Sequence, residues 1–228
     1  MDVFLAADIG GTNTRLAIMD SSGCQLESER FPTFSFPEAE SFMEHLAERI
    51  ISMISGYPEV CGAGFAVPGT VDQERKKLVY APNLGWKNVA LAEFLEPRIS
   101  VPVLLENDAN LAALGEFGYG ELKDVRHGML LTIGTGIGGG LVLDGQLYRG
   151  PGGLGVELGH MIIVKDGWQC NCGRRGCFEA YASAMGLIRL AEEKMSASGN
   201  PFRGTDDEKR TIPELIMEMH SRESDVAG

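Results

Sequence analysis

The same succession of an apolar strand, a glycine-rich turn and a second strand occurs twice in this chain of 228 residues. The first copy runs from Val3 to Gly10 and continues into a hairpin partner over Arg15–Met19. The second copy has a strand over Gly128–Ile133, a glycine turn and a returning strand over Leu141–Leu143. Because the two copies lie about half a chain apart, they predict a duplicated fold and not a short-period repeat.

Strand and helix patterns alternate along the rest of the chain. In residues 1–124 we expect strands over Gln25–Phe31, Cys61–Val67 and Val101–Leu105, a helix opened by Pro37 with Phe42, Leu46, Ile50 and Met53 at helical spacing, and a helix over Asp108–Tyr119 with Leu111, Leu114 and Phe117 on one face. Residues 125–228 add a strand over Gln146–Tyr148, a helix over Ala184–Ser196, a polar stretch over Gly199–Lys209 and a helix over Pro213–Ser221. This order predicts two α/β domains, residues 1–124 and 125–228.

The net charge limits the classes of partner that we expect this protein to bind. Binding to the phosphates of a nucleic acid or to an anionic membrane surface needs a basic face, and the net charge of -12 argues against one. No segment resembles a signal peptide, and none approaches the roughly 18 apolar residues of a membrane span. We therefore expect a cytoplasmic protein that binds small molecules, with neither a nucleic-acid partner nor a membrane.

Two glycine turns are suited to phosphate. The first, Asp8–Arg15, offers backbone N–H groups, two threonine hydroxyls and a carboxylate that could hold hydrated Mg²⁺; a plain Gly-Gly hairpin with a surface Asp is the alternative. The second, Gly134–Gly139, fits G-x-G-x-x-G, but a strand and not a helix follows it, which excludes a dinucleotide site. Together the two hairpins predict a polyphosphate held from both sides.

Asp108 is the candidate general base. It lies in the segment Glu106–Asn110, where a buried strand meets a helix, and an Asp at such a junction ordinarily caps the helix. The alternative is that its carboxylate accepts the proton of an attacking hydroxyl, since phosphoryl transfer needs little more from the protein than one positioned carboxylate and donors for the phosphates. The two roles can coexist. Two loops, Ala81–Trp86 and Gly153–His160, add amide, carboxylate and imidazole groups suited to a polyol.

A cysteine cluster predicts a metal site. Three of the five cysteines, Cys170, Cys172 and Cys177, lie within eight residues and are separated by glycines. An odd number of cysteines favours metal binding over a disulfide framework, and His160 can supply a fourth ligand. Four protein ligands make a closed, structural Zn²⁺ site, which would act on substrate only by fixing neighbouring side chains.

These motifs, in this order, resemble the ROK family (repressors, open reading frames, kinases). The matching segments cover about residues 3 to 185: Asp8-x-Gly-Gly-Thr12, Pro68-Gly69, Asn83, Glu106-Asn-Asp-Ala-Asn110, Gly134-Thr-Gly136, Gly153-Leu-x-x-Glu157-x-Gly-His160 and Cys170-x-Cys-Gly-x-x-Gly-Cys177-x-Glu179. The wording of Pro82–Trp86 and Cys177–Ser183 is most similar to the glucokinase branch.

The resemblance implies an actin-like ATPase, ribonuclease-H-like duplicated fold that binds sugar and ATP with Mg²⁺, and a homodimer. It implies that Asp108 deprotonates the 6-hydroxyl of glucose, giving glucose 6-phosphate. It further assigns sugar binding to Gly69, Asn83, Asn107, Glu157, His160 and Glu179, nucleotide binding to Asp8, Gly10, Gly11, Thr12, Asn13, Thr135 and Gly136, and a zinc knuckle at 160–179 to His160, Cys170, Cys172 and Cys177.

One departure from the family pattern concerns the second domain. Family chains continue with further strands and helices that hold adenosine, so we expect this second domain to be incomplete and the chain alone to bind ATP poorly and turn over slowly. A sugar-binding remnant without activity is therefore an alternative to the kinase. A sugar-sensing repressor is a second alternative, but no winged helix precedes the first glycine turn. The residues leave open other hexoses (fructose, allose, N-acetylmannosamine) and polyphosphate as donor.

Overall fold

The computed structural model describes residues 2–36, 38–151 and 155–197. The chain divides into two compact units: the first takes in Met1–Leu130 and Gly140–Val156, the second Leu131–Gly139 and Glu157–Gly228. The domain boundary predicted after residue 124 stays a prediction. The polar stretch over Gly199–Lys209 and the helix over Pro213–Ser221 lie outside the described residues. Within the described ranges, no helix is long and apolar enough to cross a membrane.

The first unit is built on a mixed five-stranded sheet. Its strands are β1 (Val3–Ile9), β2 (Asn13–Asp20), β3 (Gln25–Pro32), β4 (Val60–Val67) and β8 (Val103–Asn107), in the order β3-β2-β1-β4-β8. β1, β2 and β3 form an antiparallel meander, whereas β4 and β8 run parallel to β1. The carboxyl ends of β1, β4 and β8 therefore meet at one edge of the sheet, where Asp8 and Asn107 lie.

Two helices cover one face of this sheet. In β1, Val3, Leu5, Ala7 and Ile9 are buried while the alternate positions are not, as expected for a strand with one packed face. α1 (Ala39–Ile54) buries Phe42, Leu46, Ala47, Ile50 and Met53, which confirms the predicted apolar stripe. α2 (Leu91–Ile99) packs beside α1. Burial of each large apolar side chain in this core, such as Phe42 or Leu46, stabilises the fold by about 1.5–3 kcal/mol.

The connection between β4 and β8 contains more structure than the sequence predicted. It holds a second, antiparallel sheet of β5 (Thr70–Val71), β6 (Leu78–Ala81) and β7 (Trp86–Val89), followed by α2. These strands have only two to four residues, too few for an alternating pattern to stand out. α2 was missed because it is short and carries Pro97 inside it.

The second half of the chain supplies a three-stranded sheet and, within the described residues, two helices that follow it. The sheet has the order β11-β10-β9, with β9 (Gly128–Ile133), β10 (Ile137–Leu143) and β11 (Gln146–Leu147). α3 (Asp108–Tyr119) precedes it, and α4 (Phe178–Ala182) and α5 (Ala184–Ala197) follow it. α3 buries Ala109, Asn110 and Ala113, while Leu111, Leu114 and Phe117 are only half-buried. Small residues at these positions admit Gly140 of β10, where a Cβ would lie 2.5 Å from the Ala113 Cβ.

The turn between β4 and β5 predicts a large stability effect at Gly69. Its φ is +119°, and a Cβ there would lie 2.1 Å from the Tyr80 carbonyl oxygen. We expect Gly69→Ala to lower the free energy of unfolding by about 3 kcal/mol or more, from backbone strain and overlap together. Gly85→Ala is the matched control: its φ is +70° with open space around a Cβ, so only about 1 kcal/mol is expected. Urea denaturation measures both, and equal losses would contradict the prediction.

Candidate functional site

Asp108 is the first residue of α3, directly after β8. The prediction that it caps the helix is wrong: Asn107 is the N-cap, and its side-chain oxygen accepts a hydrogen bond from the Asn110 amide at 3.1 Å. Asp108 accepts a hydrogen bond from the neighbouring Ala109 amide at 2.8 Å, and its side chain makes no bond that caps the helix. Asn and Asp are about equally good caps, and here the residue one position earlier takes the role. The carboxylate of Asp108 is therefore free of the structural task that was its alternative explanation.

The surroundings of Asp108 favour a proton acceptor. The side chain is open to solvent, yet desolvation by the surrounding protein raises the pKa of Asp108 above the ordinary value. The negative charge of Asp8 raises this pKa further, and hydrogen bonds from Ala109 and Asn107 offset part of the shift. A carboxylate with a raised pKa is a better general base at neutral pH than an ordinary one.

The first glycine turn is a tight backbone loop beside Asn83. The Gly10 amide donates to the Asn13 carbonyl at 3.0 Å, and the Thr33 amide donates to the Thr12 carbonyl at the same distance. A Cβ on Gly11 would lie 3.7 Å from the Asn83 carbonyl oxygen. Gly11, predicted to bind nucleotide, and Asn83, predicted to bind sugar, are thus neighbours in the first unit. Asp8 and Asp108 belong to the same unit.

Asn107 links the strand end to the Gly69 turn. Its side-chain nitrogen donates to the Gly69 carbonyl at 3.2 Å while its oxygen caps α3. Both ends of the amide are therefore fixed by the protein.

In the second unit, Glu179 connects the second glycine turn to the cysteine cluster. One carboxylate oxygen accepts from the Ile137 amide at 2.9 Å, and the other lies 3.7 Å from the Cys170 Sγ. A Cβ on Gly136 would lie 2.5 Å from the first of these oxygens, so a side chain there would displace the Glu179 carboxylate. Of the residues predicted from the sequence, this unit contains Thr135, Gly136, Glu157, Glu179 and the four candidate metal ligands.

The three cysteines and His160 form one cluster. Their ligand atoms all lie within 4.8 Å of one another. The Cys172 and Cys177 sulfurs are 3.6 Å apart, and the Cys170 Sγ is 3.6 Å from the His160 Nδ1. A tetrahedral Zn²⁺ with bonds of about 2.3 Å to sulfur and about 2.05 Å to nitrogen requires ligand separations of about 3.8 Å and about 3.6 Å. The cluster therefore fits a zinc ion of the predicted Cys₃His type.

The remaining ring nitrogen of His160 faces Glu157. The His160 Nε2 lies 3.9 Å from a Glu157 carboxylate oxygen. If Nδ1 is the metal ligand, a carboxylate on the other nitrogen is the usual second partner, because it fixes the tautomer and the ring orientation. Such a pair would couple the metal cluster to a residue predicted to bind sugar.

The thiols of the cluster differ in acidity. Burial raises the pKa of Cys170 to about 12. Desolvation also acts on Cys172, but hydrogen bonds from the backbone and guanidinium of Arg174 and from the two other thiols outweigh it and lower the pKa of Cys172 to about 6. Three thiolates around one Zn²⁺ leave a net negative charge, and Arg174 is placed to balance it.

Sequence reasoning left two buried polar residues of the first unit without a role. Glu106 and Asn110 are 6% and 2% exposed. Both belong to a segment that matches the family motif, but the sequence assigned no function to either. Arg149, which pairs with Glu106, was not singled out at all. The signal for Glu106 is a carboxylate at the end of a buried strand; nothing in the sequence pointed to its partner.

Comparison with known proteins identifies the family. The family model described as ROK family matches residues 4–225. A glucokinase of Streptomyces coelicolor is 37% identical over 198 residues, 87% of this chain and 62% of the relative. The xylose repressor of Bacillus subtilis is 40% identical over 133 residues, 58% of this chain and 34% of the relative.

A solved structure extends this similarity to the fold. The ROK family glucokinase from Streptomyces griseus, in complex with glucose and AMPPNP, is 30% identical with a TM-score of 0.75, over 99% of this chain and 73% of that one. The α/β class and the actin-like ATPase fold are thereby confirmed. The chain spans less than two thirds of the length of the Streptomyces coelicolor glucokinase. On the family match and these similarities together, this chain belongs to the ROK family.

Proposed function

We propose that the protein phosphorylates a hexose with ATP, and that glucose is converted to glucose 6-phosphate. The observation that carries the proposal is Asp108: a carboxylate with a raised pKa at the carboxyl end of β8, not used as the helix cap. The similarity to glucokinases, one of which was solved with glucose and a nucleotide analogue, supports the choice of sugar and donor.

Each group of site residues has a role in this reaction. Asp108 accepts the proton of the sugar 6-hydroxyl as its oxygen attacks the γ-phosphate and the bond from the γ-phosphorus to the β,γ-bridging oxygen breaks. The proton ends on the carboxylate and ADP is the leaving group. Sugar hydroxyls bond to Asn83, Asn107, Glu157, His160 and Glu179, with Gly69 shaping the adjacent turn. The amides and hydroxyls of Gly10, Gly11, Thr12 and Asn13, with Thr135 and Gly136, hold the phosphates.

Two metal ions complete the proposal. Mg²⁺, when bound near Asp8, would neutralise charge on the transferring phosphate. Zn²⁺ would be held by His160, Cys170, Cys172 and Cys177 and would keep Glu179 and Glu157 in place through the contacts of Cys170 and His160. Neither ion changes the assignment of the base. We further propose a cytoplasmic homodimer, as in the family pattern.

A panel of sugars and donors tests the function. Glucose, mannose, fructose and N-acetylmannosamine are offered with ATP or with polyphosphate, and coupled ADP release and phosphate ester formation are measured. We expect the highest kcat/KM with glucose and ATP. Titration calorimetry of glucose, which needs no turnover, runs alongside.

One other function is favoured by a specific observation. The match to the xylose repressor covers 58% of this chain, so sugar binding without phosphoryl transfer is the second candidate. Sugar binding with no ester formed from any donor would identify a sugar-binding protein, and preference for another hexose would correct the substrate.

A further inference from the structure

The carboxylate of Glu106 is the centre of a buried polar network in the first unit. Its Oε1 accepts from the Asn107 amide at 3.1 Å and from the Asn110 side-chain nitrogen at 3.0 Å. Its Oε2 accepts from the Arg149 Nε at 2.5 Å. Glu106 is 6% exposed, whereas the side chain of Arg149 is 37% exposed, so loss of a partner leaves the buried carboxylate less satisfied.

The network extends to Arg149 and, through it, to Gly155. Arg149 bonds to Glu106. The Gly155 amide donates to the Arg149 carbonyl at 2.7 Å. A Cβ on Gly155 would lie 3.5 Å from the Asn110 side-chain nitrogen, so the glycine backbone packs on the same amide that bonds to Glu106.

The same network holds Asn107. Its backbone amide bonds to Glu106, its side-chain oxygen to the Asn110 amide and its side-chain nitrogen to Gly69. Asn107 is proposed to bind sugar, and Gly155 precedes Glu157, also proposed to bind sugar, by two residues. Glu106 thus bonds both to Asn107 and to Arg149, whose carbonyl holds Gly155. Glu106 itself is not among the residues proposed to bind sugar or nucleotide.

We propose that Glu106, Asn110 and Arg149 are positioning residues for sugar binding: the Glu106–Arg149 ion pair fixes Arg149, to whose carbonyl Gly155 is bonded, and the orientation of Asn107. The inference rests on the proposed function for the identity of the ligand. None of the three residues needs to contact the sugar. Their effect is on the geometry of groups that do, and misplacement of such groups by about 1 Å is costly.

Hydrogen exchange and sugar affinity test this proposal together. In Arg149→Met, we expect the Gly155 amide to exchange at least about tenfold faster and the glucose Kd to rise about tenfold, because the Arg149 backbone that accepts from this amide is no longer held by Glu106. Arg149→Lys keeps the charge and should recover part of both effects. Arg126→Met is the matched control: its guanidinium bonds at 2.8 Å to Asp144 on the surface, so neither quantity should change.

A double variant tests whether the two residues act as a pair. Glu106→Gln keeps an acceptor for Asn107 and Asn110 but loses the charge that faces Arg149. If the pair is the functional unit, the double variant with Arg149→Met weakens glucose binding no more than the stronger single variant. Additive losses would overturn the pairing.

The outcomes separate this inference from the function itself. Unchanged exchange of the Gly155 amide in Arg149→Met would show that the Glu106–Arg149 ion pair does not hold this part of the backbone. Faster exchange with unchanged glucose affinity would show that the pair has no positioning role in sugar binding. If the wild-type chain binds none of the sugars in the panel, the proposed function fails. The exchange rate of the Gly155 amide in Arg149→Met then decides by itself whether the network holds Gly155.

Discussion

Asp108→Asn should lower kcat for glucose phosphorylation by about a thousandfold while leaving the protein folded. Asparagine has the shape of aspartate and still accepts a hydrogen bond from the Ala109 amide, but it cannot take a proton from the sugar hydroxyl. Removal of a general base typically costs 10²–10⁴ in rate. Because Asn107 and not Asp108 caps α3, the helix start is untouched. Steady-state kinetics with saturating glucose and ATP measures the effect.

The same variant should be at least as stable as the wild-type chain at neutral pH. The folded-state pKa of Asp108 is raised above the value of about 4 in the unfolded chain. Stability is therefore lost as pH rises from the unfolded to the folded pKa, and the cost is complete above the folded pKa. Asparagine carries no charge near Asp8, so this cost disappears, and the melting temperature at pH 7 to 8 should stay equal or rise.

Asp20→Asn is the control with the opposite sign. Its pKa is lowered, first of all by the Ser22 hydroxyl and then by the Cys24 amide, in the turn between β2 and β3. The ionised form thus stabilises the fold above the unfolded pKa, and the variant should melt slightly lower at neutral pH with normal kcat. If Asp108→Asn keeps a kcat near that of wild type, the assignment of the base is wrong; if it melts well below wild type, Asp108 has a structural role instead.

The pH dependence of kcat/KM on its acid side is a third test of Asp108 as the general base. The base must be ionised, so kcat/KM should fall as pH drops through the raised pKa of Asp108, at a higher pH than for an ordinary aspartate. A limb near pH 4 or below would show that the surroundings of Asp108 do not shift its titration in solution.

The sequence predicted the parts of the fold whose signals are local. α1 shows its apolar stripe because Phe42, Leu46, Ile50 and Met53 face one sheet, and β1 and β4 are long enough for their patterns to appear. β6 and β7 have four residues each, and Pro97 lies within α2, so neither spacing nor length predicted them. Asp108 and Asn107 are adjacent cap residues, and only the backbone angles decide between them.

The site was predictable where chemistry is concentrated in sequence. Cys170, Cys172 and Cys177 lie close along the chain, and the structure brings His160 to them. The partner of Glu106 was not predictable, because Arg149 is 43 positions away and an arginine in a loop is ordinarily a surface residue. Glu179 illustrates an intermediate case: the family resemblance selected it, but its bond to the Ile137 amide required the fold.

Cys177→Ser should abolish zinc binding and destabilise the second unit. Cys177 is fully buried, and in the described part of this unit the only buried apolar side chains are Ile137, Leu158, Cys170 and Cys177. Two of these four are candidate metal ligands, so little apolar burial remains to hold the knuckle once the metal is lost. Structural zinc sites contribute directly to folding free energy.

We expect wild-type protein to bind about one zinc per chain and Cys177→Ser close to none. The loss should be at least about 3 kcal/mol, or roughly 6–12 °C in melting temperature for a chain of this size. Elemental analysis and thermal melts with and without a chelator measure both quantities. A phosphine reductant is included, because the Cys172 and Cys177 sulfurs, 3.6 Å apart, could otherwise oxidise.

Cys24→Ser is the matched control, since Cys24 is exposed and its sulfur makes only a weak contact with the Gln25 carbonyl at 3.9 Å. It should keep the zinc and the melting temperature, whereas Cys177→Ser and chelated wild type should melt alike. Because Cys170 contacts Glu179 and His160 faces Glu157, loss of the metal should also weaken glucose binding while Asp108 itself stays intact. Wild-type protein that holds no zinc after growth with the metal, or that melts unchanged after chelation, would remove the knuckle from the account of the sugar site.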